Sequence, residues 1–157
     1  MAKTRLDDSR WPLVVFTAVG EQTPEEFEAY LADCDSLLRR REPYGVIFDA
    51  RRSTPIGPKL RKRMVAWLAR NDALLRAYIV ANSMVMATAL QRGVFRAILW
   101  MRPLPFPYSV ETSLEGARAF VFSRLTARGC PTPPPFDATS VLLPVLRDRP
   151  RRGVDSR

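Results

Sequence analysis

Between residues 11 and 126, extended apolar runs and helical stripes alternate four times, and this alternation confines the chain to one kind of architecture. Residues 11–19 (WPLVVFTAV) form a β-rich run stopped by Gly20, which suits a strand covered on both faces. A further short strand can precede it. Thr23, Pro24, Glu25 and Glu26 then open a helix, with Thr23 as N-cap, Pro24 at the first position and Glu26 placed to close a capping box. Phe27, Tyr30, Leu31, Cys34, Leu37 and Leu38 follow on a single stripe. Residues 44–50 (YGVIFDA) are the second core strand, and a helix is expected over 58–76 after a loop marked by Pro55 and Gly57. A third strand is expected over 77–84, a helix over 86–101, a short strand over 108–111 and a last helix over 113–125 capped by Ser113. Strands that alternate with helices imply parallel neighbours and right-handed crossovers. The expected fold is an α/β sandwich, with a four- to five-stranded, mainly parallel sheet and about four helices.

The chain has 157 residues, enough for one domain with a real core. That domain is expected over residues 1–126. From 127 to 157 the composition turns to proline and arginine, which reads as a flexible tail in which residues 140–146 are apolar enough to dock back. Residues 1–10 are polar, without the apolar region of a secretory signal. The apolar stretch 77–101 is interrupted by Asn82, Gln91, Arg92 and Arg96, which argues against a transmembrane segment. Two cysteines, Cys34 and Cys130, make neither a disulfide framework nor a C-x-x-C pair, and the expected location is cytoplasmic.

The net charge is +9 and it is local: residues 51–76 hold eight cations against Asp72 alone. Within them Lys59, Lys62, Arg63 and Arg70 share one helical face, either an ordinary solvated surface or a basic surface for an anionic partner. Cations in a first turn oppose the helix dipole, so a compensating group is expected. Nothing aromatic interleaves them and no helix-turn-helix or zinc-finger pattern accompanies them, so sequence-specific nucleic-acid recognition is not expected.

Histidine is absent, which removes the commonest base for a serine or cysteine nucleophile. No Gly-rich phosphate loop or metal-ligand cluster is present, so no cofactor and no metal is expected, and no catalytic residue is assigned. Asp33 and Asp35 flank Cys34 but point to different sides of a helix, which makes them solvated groups and not a metal pair. At the carboxyl ends of the strands Asp49, Ser53, Ser83 and Arg92 are candidates to converge on an anionic ligand or phosphate. The simpler reading is a structural ion pair between Asp49 and Arg92. Asp49 also serves as a turn cap. Residues 94–101 make their helix apolar almost all round, which marks Phe95 and Trp100 as interface candidates, including for a homodimer.

At Val46, Ile47, Phe48, Asp49 and Ala50, followed by a loop with Ser53 and Thr54 and then a helix, the order of elements resembles STAS domains, the sporulation anti-sigma-factor antagonist-like fold. The resemblance spans residues 5–126. The segments GVIFDARRS and QRGVFRAILWMRPLPFPYSVETSLEGARAF, with an apolar strand ending at Ser83 between them, are similar to bacterial STAS-like or lipid-transfer-related proteins. The resemblance implies a non-enzymatic regulatory protein–protein interaction module, its partner another protein, acidic in keeping with the charge. Partner-switching STAS proteins carry an Asp-Ser pair after the second core strand, where a kinase phosphorylates the serine. Here Arg51-Arg52-Ser53-Thr54-Pro55 stands in that place, with the serine but without the Asp-Ser pair, and Ser53 and Thr54 read first as turn formers. The alternative function is a small-ligand or lipid-headgroup carrier. An apolar cavity under Phe95 and Trp100 would favour the carrier, and a solid core with an exposed aromatic face would favour the interaction module.

Overall fold

The strand β1 (Thr4–Arg10) turns back as β2 (Leu13–Gly20), and from there every sheet neighbour is parallel. In chain order follow α1 (Pro24–Arg39), β3 (Tyr44–Ser53), α2 (Pro58–Arg70), α3 (Asp72–Tyr78), β4 (Ile79–Val85), α4 (Ala89–Met101), β5 (Tyr108–Glu111) and α5 (Leu114–Ala127). This computed structural model describes residues 3–132, so the expected tail beyond 132, with its segment 140–146, lies outside the described residues. The sheet order is β1-β2-β3-β4-β5. Because each parallel strand is added on the same side of its predecessor, right-handed crossovers place α1 to α4 on one face. The helix after the last strand, α5, takes the other. The expected α/β sandwich with a mainly parallel sheet is what the chain forms.

Strand alternation divides the core accordingly. On β3, Tyr44 and Val46 join the helices α1 and α2 in one cluster, while Ile47 faces Ala117, Val121 and Leu125 of α5 in another. Gly45 lies under α5, and a Cβ there would collide with Val121 Cγ1. The helix approaches the strand at this point because glycine leaves the space.

Several boundaries differ from expectation: β3 runs on to Ser53, α4 begins at Ala89, and three further differences have a local cause. The helix foreseen over 58–76 breaks at Asn71, whose amide nitrogen donates to the Trp67 carbonyl at 3.0 Å and competes with the backbone ladder. The strand that can precede residue 11 is seven residues long despite its polarity. As an edge strand it buries only one face, where Thr4 is enclosed and Leu6 packs on the core. The domain also continues past residue 126. Gly129, at φ +70°, donates its N–H to the Thr126 carbonyl, Cys130 donates to that of Leu125, and the Cys130 side chain packs under α5. This is a Schellman termination, in which the left-handed residue is the glycine that tolerates it.

Candidate functional site

A cavity of about 170 Å³ lies between the sheet and the helices α1, α2 and α4. Its floor is the helix-facing side of the strands: Phe16, Val46, Phe48, Asn82 and Met84. Tyr30 of α1, Met64 and Trp67 of α2, and Phe95 and Ile98 of α4 wall it. Ser53, Thr54, Pro55 and Ile56, in the β3–α2 connection, bound it at the carboxyl ends of the strands. None of its lining residues carries a formal charge. Two amide oxygens, Asn82 Oδ1 and Gln22 Oε1, are buried with no hydrogen-bond partner, and both residues line this cavity.

A third lining amide, that of Gln91, is fully engaged. Its nitrogen donates to the carbonyls of Ala50 at 2.7 Å and Ser53 at 2.9 Å, and its oxygen accepts from the N–H groups of Ala87 and Thr88. Thr88 Oγ1 accepts from the Gln91 N–H in return, a capping box that anchors the start of α4 to the end of β3. Sequence reasoning missed Gln91, although Thr88-x-x-Gln91 is the spacing that could have found it.

The four candidate ligand residues do not converge. Asp49 and Ser83 lie on the sheet face that carries α5, by alternation with Ile47, Ala81 and Val85. Asp49 accepts from Arg51 Nε at 2.9 Å, from Arg51 Nη2 at 2.8 Å and from the Arg51 N–H at 3.1 Å. That guanidinium holds the Asp49 carboxyl below its usual range. The expected Asp49–Arg92 pair is therefore corrected to Asp49–Arg51, since residues two apart on a strand share a face. Ser83 is 0 % exposed and its hydroxyl shares a 2.8 Å hydrogen bond with that of Ser109, tying β4 to β5. Ser53 ends β3 and donates its hydroxyl to the Ala50 carbonyl at 2.9 Å. It precedes the first residue of α2 by five positions and is not at that helix's N-terminus. Arg92 sits half-buried on α4 and does not line the cavity.

The basic face of α2 is split by α1. Arg63 grips Glu28 with two bonds of 2.6 and 2.9 Å, and Arg70 lies 3.9 Å from Asp35. Asp35 also accepts from the Trp67 indole at 2.9 Å, which corrects its expected role as a solvated group. Glu28 and Asp35 thus meet cations in the middle and last turns of this helix, and the compensating group expected for its first-turn cations is not supplied by them. Arg63 in turn lowers the pKa of Glu28. Lys59 and Lys62 remain exposed.

Helix α4 has two unlike faces. Phe95, at 8 % exposure, is turned inward against the cavity and makes an edge-on contact with Tyr108. Trp100 is 89 % exposed, Leu90 68 % and Met101 51 %. Leu90, Gly93, Ala97 and Trp100 follow at helical spacing along one exposed stripe, with Arg96 also exposed beside it and no acid anywhere in Ala89–Met101. Of the two interface candidates, only Trp100 is available at the surface.

Burial pushes the Cys34 thiol up to about 12, which keeps it protonated and removes it as a nucleophile. Among the described residues no helix is long and apolar enough to cross a membrane.

No protein-family model and no curated protein matches the chain. Solved structures do, among them the following two. One is a protein of the DUF3478 family with a SpoIIAA-like fold from Shewanella loihica PV-4, 15% identical, with a TM-score of 0.57 over 75% of this chain and 91% of that one. The other is an anti-sigma factor antagonist from Mycobacterium paratuberculosis, 13% identical, with a TM-score of 0.50 over 76% of this chain and 92% of that one. At these identities the likeness concerns architecture, and the chain has the SpoIIAA-like, STAS-type α/β fold.

Proposed function

We propose that this chain is a non-enzymatic regulatory module that works by docking another protein on the outer face of α4. The observation that carries this reading is Trp100, a tryptophan 89 % exposed between Leu90 and Met101 on a helix without acids. Tryptophan and arginine are the side chains most enriched among residues that dominate protein–protein binding, and a tryptophan left in water has its apolar area still to bury. Arg92 and Arg96 on the same helix favour an acidic partner and disfavour a homodimer, in which two positive faces would meet. The anti-sigma factor antagonist of the same fold supports a regulatory role, and the lack of histidine and the protonated Cys34 thiol support a chain without turnover. A cytoplasmic location accompanies this reading. Exposed Lys59 and Lys62 add a non-specific attraction to anionic surfaces.

The test is capture of partners from a lysate of the source organism with the wild-type chain and with Trp100→Glu, alongside sedimentation of each alone. The expected outcome is a partner retained by the wild type and lost by the variant, with unchanged far-ultraviolet dichroism. Identical captured sets would contradict it. A second reading, carriage of a small ligand, is favoured by the cavity behind the same helix.

A further inference from the structure

The two edges of the sheet are built differently, and the difference bears on how a partner docks beside α4, on the reading that α4 receives a protein. We infer that the free edge of β5 takes an extended segment of that partner as an added strand, with carboxylates two residues apart set against Arg92 and Arg96. Three observations lead there.

The first is an edge left open. At one side of the sheet β1 carries Arg5, Asp7 and Arg10 and loses its register with β2 between Asp7 and Arg10, and such charges and irregularities discourage a further strand. At the other side β5 reads YSVE, pairs with β4 without a register shift and has no proline or cation inside it. The Asn82 N–H donates to the Pro107 carbonyl and the Met86 N–H to that of Glu111. Residues 107, 109 and 111 therefore turn their backbone groups to β4, and Tyr108 and Val110 turn theirs outward. Among the described residues nothing hydrogen-bonds the outward N–H or C=O of either.

The second is the apolar surface beside that edge. Tyr108 and Val110 are exposed and share the α4 face of the sheet, where Tyr108 meets Phe95, while Ser109 is on the α5 face with Ser83. An incoming strand would cover both through cross-strand pairs and take apolar area out of water.

The third is charge. Residues two apart on a helix point to nearly opposite sides. Val94 lines the cavity, on the side where α4 meets α2, so Arg92 and Arg96 lie on the flank turned to the β5 edge. Neither is in an ion pair among the described residues. Glu111, the acid of β5, is on the other face, against Gly116 of α5. Four residues of helix rise about 6 Å and two residues of strand about 6.6 Å, so the Arg92–Arg96 pair matches carboxylates at alternate positions of a strand. Such a segment draws affinity from the main-chain bonds of the edge and selectivity from the charges. A second copy of this chain fits less well, since pairing β5 with β5 would bring two arginine pairs to one seam.

The test is NMR of the isotope-labelled full chain with three synthetic peptides: TVEVEVT, its basic counterpart TVKVKVT, and TVEEVVT, which has the composition of the first but puts its carboxylates on opposite faces of a strand. TVEVEVT is expected to slow hydrogen exchange at the amides of Tyr108 and Val110, and to bind at least about tenfold tighter than either of the others. With Arg92→Gln and Arg96→Gln combined, the acidic and basic peptides should bind alike. No binding of TVEVEVT, or equal binding of all three, would overturn this inference and leave the docking of a protein on α4 to be decided by the partners that Trp100→Glu captures. Binding that shifts the signals of α4 without protecting Tyr108 and Val110 would keep α4 as the docking face and overturn the added strand. The wild-type affinities decide the matter even where the double variant does not fold.

Discussion

Gly45 and Gly93 show how differently one residue type can be used in this chain. A Cβ at Gly45 would strike Val121, so Gly45→Ala should lower stability by about 1–3 kcal/mol through overpacking of α5 on β3. Nothing lies within 4 Å of a Cβ at Gly93, on the exposed side of α4, and Gly93→Ala should raise stability by about 0.5–1 kcal/mol. Urea denaturation of both variants checks the opposite signs. Asp49 supplies a pH dependence. Arg51 holds its folded-state pKa below the ordinary carboxylate range, so its contribution to stability is fully present above the unfolded value and is lost as pH falls through the lower, folded one. Asp49→Asn should therefore be less stable than wild type at neutral pH, and the gap should close in strong acid. A gap that stays constant down to pH 2 would show that Asp49 acts through something other than its charge. The Asp49–Arg51 pair was missed because the strand was expected to end at residue 50, whereas β3 runs on to Ser53 and puts the two side chains on one face. The unpaired oxygen of Asn82 was not legible either, because whether an amide finds a partner depends on what the other strands and helices bring to it.

At the scale of elements, the period of the apolar pattern located every core strand and the four principal helices, because burial enforces it. What it missed were features set by single side chains competing for backbone groups: the break at Asn71, and the cap of α4 by Thr88 and Gln91. The strand β1 was foreseen only as short, because an edge strand needs few apolar residues and its polar sequence does not mark its length. Charge on α2 was visible in the sequence, but its neutralisation by α1 required the packing of the two helices. Exposed pairs of this sort contribute little to stability, yet they decide which cations are left to attract a partner. Replacing Lys59 and Lys62 with Gln should reduce the salt dependence of binding to a polyanion such as heparin by about one unit of log–log slope per lysine that contacts it. Arg63→Gln should change it less, since Glu28 already faces that guanidinium. Salt titrations of the three proteins separate these outcomes, and an equal effect from Arg63 would show that its pair with Glu28 opens on binding.

For the molecule as a whole, a cavity and an exposed aromatic face looked from the sequence like alternatives, and the chain has both. They coexist because α4 spends Phe95 and Ile98 on the cavity and leaves Leu90, Trp100 and Met101 outside. The sequence shows an almost uniformly apolar helix, and only the docking of its start onto β3 through Gln91 decides which residues turn inward. The proposal that α4 is the working surface is tested most directly by photo-crosslinking. A benzoylphenylalanine placed at Trp100 should form an adduct with a second polypeptide in living cells, while the same group at exposed Ala119, on α5 across the sheet, should not. Absence of an adduct from position 100, or equal adducts from both positions, would contradict the assignment of α4 as the docking face.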